Sequence, residues 1–132
     1  MRKIDELTYT AVLHGEPFRK DNTSVVVKDF QHGCLEETVL TVNLFGNEIA
    51  RIVWKGRPLA KRIDWAVSTC GWATNTTCAR LNAVLKAIDG GVTCHVRREE
   101  MHFYVDGRDA GAWGTFTMRN LDDIRKGGSH EG

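Results

Sequence analysis

Between residues 70 and 91 the chain, CGWATNTTCARLNAVLKAIDGG, carries an apolar repeat of helical period. Leu81, Val84, Leu85 and Ile88 fall at i, i+3, i+4 and i+7 and make one stripe. Asn75, Thr76 and Thr77 precede the stripe, and each offers a side-chain oxygen to the orphan amides of a first turn. Gly90 and Gly91 follow it, and glycine takes the left-handed conformation that ends helices without steric cost. Together these signals predict one helix over about 76–89. Arg80 and Asn82 flank the stripe on opposite sides, placed to reach past it to whatever the helix packs on.

Around that helix the chain reads as strand and turn. Leu7, Tyr9, Ala11 and Leu13 alternate against the threonines Thr8 and Thr10, the pattern of a half-buried strand over 7–13, and His14–Pro17 breaks it. Residues 18–22 read as a polar connection anchored by Phe18, and 23–30 as a β-branched strand. Gly46-Asn47 is a two-residue hairpin signal. It pairs Phe45 with Glu48, Leu44 with Ile49, Val42 with Arg51 and Leu40 with Val53, which leaves Arg51 on an otherwise apolar face. Residues 62–70 form a strand with Ile63, Trp65 and Val67 inward, and Trp72 is expected to close one end of the core beneath the helix. A hairpin follows, with Arg98 opposite Met101, Val96 opposite Phe103 and Cys94 opposite Val105. Residues 106–111 read as a turn and 113–118 as a last strand. The expected fold is α+β: an antiparallel sheet of six to eight strands, strongly bent or split in two, with one helix packed on it. One domain spans 1–120, and 121–132 is expected to be a flexible tail.

Composition excludes several classes. The formal net charge is +1, too small for a protein with a broad basic face dedicated to nucleic acid. No apolar run reaches membrane-spanning length, and acidic residues interrupt the N-terminus where a signal peptide needs an apolar core, so a cytoplasmic protein is expected. Cys34, Cys70, Cys78 and Cys94 lack zinc-type spacing and read as reduced thiols, with neither metal nor cofactor implied.

Three constellations are candidates for chemistry. Thr74, Thr76 and Thr77 put hydroxyls beside the free amides of the helix start, with Arg80 one turn in and Asn82 beyond. This is the make-up of a phosphate or carboxylate site, and equally of ordinary capping. Lys55, Arg57, Lys61 and Arg62 form a basic loop between Trp54 and Trp65, suited to a phosphate backbone with stacked bases, or simply to a solvated hairpin end. His95, Arg97, His102 and Tyr104 share one hairpin face, as a binding surface or a solvated sheet side would. No carboxylate or nucleophile accompanies them at a telling spacing, and no nucleophile elbow, P-loop or dinucleotide fingerprint occurs, so an enzyme is not expected.

Gly71-Trp72, Thr74, Thr76-Thr77 and Arg80-Leu81-Asn82 fit the pattern Gly-Trp-x-Thr-x-Thr-Thr-x-x-Arg-Leu-Asn. The pattern resembles a motif of small phage- and prophage-encoded proteins, in which a hairpin precedes the motif and a strand pair follows. Here those features fall at 39–54 and 92–105. The resemblance implies a phage context and no mechanism. It makes the expected function that of a phage-type accessory protein acting by stoichiometric binding of a host or phage protein, including inhibition of a host defence factor. The alternative is a nucleic-acid or nucleotide binder using the threonines, Arg80 and the basic loop.

Overall fold

A computed structural model describes residues 2–56 and 61–127. The elements in chain order are α1 (Lys3–His14), β1 (Phe18–Lys20), β2 (Thr23–His32), β3 (Leu35–Leu44), β4 (Asn47–Lys55), β5 (Lys61–Ser68), α2 (Asn75–Ile88), β6 (Val92–Arg97), β7 (Glu100–Val105), β8 (Arg108–Ala112), β9 (Thr115–Thr117) and α3 (Met118–Gly127). The strands make two antiparallel sheets, ordered β1-β2-β3-β4-β5-β9 and β6-β7-β8. The α+β class and the split sheet are as expected, with two helices added to the one that periodicity found. Among the described residues no helix is long and apolar enough to cross a membrane.

The predicted central helix is α2, and its stripe of Leu81, Val84, Leu85 and Ile88 is buried. It packs on α1, β4 and β6. The side chain of Thr74 caps it by accepting from the Thr77 amide at 3.2 Å. The C-terminal end departs from expectation: the cap is Asp89, in extended conformation, with its amide on the Leu85 carbonyl at 2.7 Å. Gly91 serves close approach instead, since a Cβ there would stand 2.5 Å from an Asp106 carboxylate oxygen. One core joins both sheets through Leu40, Ile52, Trp65 and Val67 on one side and Cys94, Phe103 and Val105 on the other. Phe116 stacks on Phe103, with ring centroids 4.8 Å apart.

The strand expected over 7–13 lies inside α1. Asp5, Thr8, Ala11 and Val12 are its buried residues, at helical spacing, and two of them are polar. The apolar periodicity was therefore broken on the face that matters. The buried Asp5 carboxylate pairs with the Arg80 guanidinium of α2, and Arg80 Nε donates to Thr23 Oγ1 at 2.9 Å. Gly15, left-handed at φ 65°, ends the helix where the break was expected.

The β3–β4 register differs by one residue from the predicted one. Phe45-Gly46 is the loop, Leu44 faces Asn47, and a bulge between Val42 and Asn43 moves the pairing so that Val42 faces Ala50 and Leu40 faces Ile52. Ile49 and Ala50 are both buried as a result. Arg51 leaves the apolar face and binds Glu48 at 3.1 Å. The β6–β7 hairpin turns at Arg98-Glu99, with Val96 facing Met101 and Cys94 facing Phe103. That is a two-residue displacement, so every side chain keeps its predicted face.

Helix α3 occupies residues 118–127 and so takes up the first part, 121–127, of the tail expected over 121–132, the remainder of which lies outside the described residues. Its start is a reciprocal cap: Asn120 Oδ1 accepts from the Thr117 amide at 2.9 Å, and Thr117 Oγ1 accepts from the Asn120 amide at 3.1 Å. Leu121 is buried. Arg125 forks between Asp89, at 2.8 and 3.1 Å, and Asp106, both of whose oxygens lie at 3.0 Å. The hydrogen bond from Arg125 holds the Asp89 carboxyl below its usual range.

Two measurements test this framework. Asp5→Ala strands a buried guanidinium and should cost about 3–5 kcal/mol in chemical denaturation, while Asp5→Leu combined with Arg80→Met should recover most of it. For α3, Asp89 has a depressed folded-state pKa. Its contribution is therefore present above the unfolded carboxyl value of about 3.9 and is lost as pH falls through the folded value. Arg125→Ala, and acidification below about 4, should speed amide exchange over 118–127 well before the α2 amides open.

Candidate functional site

The structure separates the residues that sequence grouped at the start of α2. Arg80 is turned inward and occupied by Asp5 and Thr23. Asn82 clips α2 to the edge of β6, where its amide nitrogen donates to the Cys94 carbonyl at 2.9 Å and its oxygen accepts from the Cys94 amide at 2.8 Å. Thr74 and Thr77 bond each other through their hydroxyls at 3.0 Å, and Thr77 is buried. Thr74, Thr76 and Thr77 remain together, as one wall of a groove.

The basic segment is not a single loop. Lys55 ends β4 opposite Lys61 at the start of β5, and Arg57 lies outside the described residues. Arg62 donates to the Ile88 carbonyl at 2.8 Å. Trp54 and Trp65 are buried in the core and offer no face for stacking a base.

On the second sheet His95, Arg97, His102 and Tyr104 do share a face, and β8 adds a carboxylate to it. Asp109 accepts from Arg97 at 2.8 Å and lies 3.4 Å from His102 Nδ1. The Gly111 amide, then His102 and Arg97, hold the Asp109 carboxyl below its usual range against an opposing desolvation effect. The ring of His95 meets that of Tyr104 edge-on, with centroids 5.3 Å apart. Sequence reasoning missed Asp109 because residues 106–111 read as a turn, whereas the turn is Asp106-Gly107 and a strand begins at Arg108. Arg97 and Asp109 are solvated, and no nucleophile lies within the cluster.

The groove of about 410 Å³ has a different character. Leu44 and Ile49 contribute apolar surface, the α2 threonines form a wall, and Phe45 and Trp72 stand at its edge. Phe45 is 71% exposed and Trp72 61% exposed. Trp72 thus lies outside the core it was expected to close. The reason is local: Cys70 and Gly71 are both left-handed, at φ 52° and 83°, and this turn swings the chain outward before α2 begins. Phe45 is held the same way, at φ 53° beside Gly46 at φ 81°, in a hairpin position that prefers Asn, Asp or Gly. A bulky residue there is strained, and such strain concentrates at functional positions. The signal was present in sequence, as Phe before Gly at a hairpin tip, and was obscured by placing the loop one residue late.

Residues 1–121 match the family model described as Kyanoviridae Gp96 protein. No curated protein and no solved structure matches the chain. The family match runs from α1 into α3 and includes every groove residue, and it bears out the phage origin that the motif implied. The chain belongs to the Kyanoviridae Gp96 family of phage proteins.

Proposed function

We propose that this phage protein acts by stoichiometric binding to a protein partner, with the groove between the β3–β4 hairpin tip and the start of α2 as its docking site. The partner in this reading is a host protein, and binding blocks a host defence factor. One observation carries the proposal: two large aromatic side chains, Phe45 and Trp72, are held in water at the edge of an uncharged apolar groove. Exposed aromatics of this kind supply most of the affinity when buried at the centre of an interface. Strain at Phe45 in the free protein supports a role other than folding.

The nucleic-acid reading has less support. Of the cations it relied on, Arg80 is committed to Asp5 and Arg62 to a backbone carbonyl, while both flanking tryptophans are core residues. An enzymatic reading has no nucleophile–base pair in the groove to rest on.

Binding and folding are separable here, which makes the proposal testable. Phe45→Asn places the preferred residue at a left-handed hairpin position and should leave stability unchanged or raise it by up to about 1 kcal/mol. The same change, and Trp72→Ser, should each weaken the complex by about 2 kcal/mol or more, roughly thirtyfold in Kd. The measurement is co-purification from infected host cells with the stoichiometry read by native mass, followed by titration of the identified protein. A complex that survives both substitutions overturns the groove assignment.

A salt titration with labelled DNA and RNA separates the classes. Affinity at about 150 mM salt should be no tighter than micromolar, the non-specific range. Sub-micromolar binding, abolished by alanine at Lys55, Arg57, Lys61 and Arg62, would restore the nucleic-acid reading.

A further inference from the structure

The half-buried Cys78 and the buried Cys94 are brought together. We propose that Cys78 and Cys94 form a reversible modification site, whose thiols condense to an intramolecular disulfide on meeting a low-molecular-weight disulfide of the glutathione class. Cys78 lies on α2 and Cys94 on β6, with their sulfurs 3.8 Å apart. Each thiol also faces the other residue's backbone carbonyl, Cys78 at 3.2 Å and Cys94 at 3.7 Å. Asn82 fixes the arrangement from one turn along α2, reaching the Cys78 sulfur at 3.5 Å while holding the backbone of Cys94 through both of its amide atoms. The sulfurs are already in van der Waals contact and have to close to the roughly 2.05 Å of a disulfide.

The sites differ in a way that orders the chemistry. Cys78 is half-buried and Cys94 fully buried. The hydrogen bond from Cys94 lowers the Cys78 thiol to about 7, against the opposing effect of burial, so thiolate is present near neutral pH. The bond to Cys78, and then burial, push the Cys94 thiol up. In the first step Cys78, its proton given to water, attacks one sulfur of the reagent. The reagent's S–S bond breaks, one glutathione leaves as thiolate, and a mixed disulfide forms at Cys78. Capping removes the hydrogen-bonding, negatively charged sulfur that, together with burial, held the Cys94 thiol up. Cys94 then releases its proton, attacks the Cys78 sulfur and expels the second glutathione. Two protein thiols are oxidised, one reagent disulfide is reduced to two thiols, and the protein loses two hydrogens. The product ties α2, whose first turn walls the groove, covalently to the second sheet. The inference stands on the thiol geometry and does not depend on the proposed partner.

Exposed Cys34 and Cys70 would pair between molecules, so the test uses the folded chain carrying Cys34→Ser and Cys70→Ser. Oxidised glutathione is added at neutral pH, and the protein is then denatured and alkylated. The expected result is loss of both alkylation sites, a mass lower by two hydrogens, a digest fragment linking Cys78 to Cys94, reversal by dithiothreitol, and a higher Tm in the oxidised form. Adding Cys94→Ala should arrest the reaction at a glutathione adduct on Cys78. Two thiols that stay alkylatable, or a glutathione adduct that persists while Cys94 is present, would overturn the proposal. Both of these are read on protein that retains Cys78 and Cys94.

Discussion

A guanidinium buried between two helices and a strand must be neutralised where it sits, and that requirement decides how three elements of this chain meet. Arg80 projects from α2 to the Asp5 carboxylate of α1 and the Thr23 hydroxyl of β2. Neither carboxylate nor guanidinium has an apolar alternative in place, so α1 can dock in only one register. Lys86, almost two turns along α2, sits 5.1 Å from the centre of the Tyr9 ring and repeats the link nearer the solvent. The fully buried apolar residues of α1 are Ala11 and Val12, beside two polar ones, with Tyr9 and Leu13 partly buried against the core. The ion pair fixes where α1 meets α2 and β2.

The same polar face explains what sequence could and could not show. α2 was legible because its four apolar positions are all core positions. α1 was not, because Asp5 and Thr8 stand where a helix normally repeats leucine, and their partners lie 75 residues away or within the helix itself. α3 turns Met118, Leu121 and Ile124 toward the core at i, i+3 and i+6, a stripe of only three residues, and is otherwise held by Arg125 and a Thr117–Asn120 cap that leave no apolar signal. The hairpins give a sharper contrast. A two-residue displacement at β6–β7 left all faces intact, whereas one extra residue at Ile49 turned Arg51 out and Ile52 in. Period-two reasoning fixes faces only until a bulge changes the phase.

Candidate sites followed a related rule. Of the charged groups that sequence singled out, Arg80 is consumed inside the fold by Asp5, while Arg62, at the surface, donates to a helix-end carbonyl. Asn82 acts as a surrogate strand, giving Cys94 on the edge of β6 one donor and one acceptor and so covering a sheet edge that would otherwise stay open. Residue type alone cannot distinguish a side chain that serves a ligand from one that serves the backbone, and only long-range placement separates them. Thr74 serves both ends: it caps α2 and lines the groove together with Thr76 and Thr77.

The aromatics were misread in the opposite direction. Trp72 carries enough apolar surface that burial is the default expectation, and Phe45 was assigned to the end of a strand. Both are displaced outward by pairs of left-handed residues, Cys70-Gly71 and Phe45-Gly46, in which the second member is glycine and the first is not. Glycine makes such a turn possible at low cost, but the residue before it bears the strain. Two turns of this kind converge on one groove, each presenting an aromatic ring to solvent. A fold that needed only to close these turns would accept asparagine or glycine at position 45 and a polar residue at 72. Phe45 carries the conformational cost itself, Trp72 is carried outward by the turn before it, and both rings expose apolar surface without adding to the core, which is the feature the proposed docking would use.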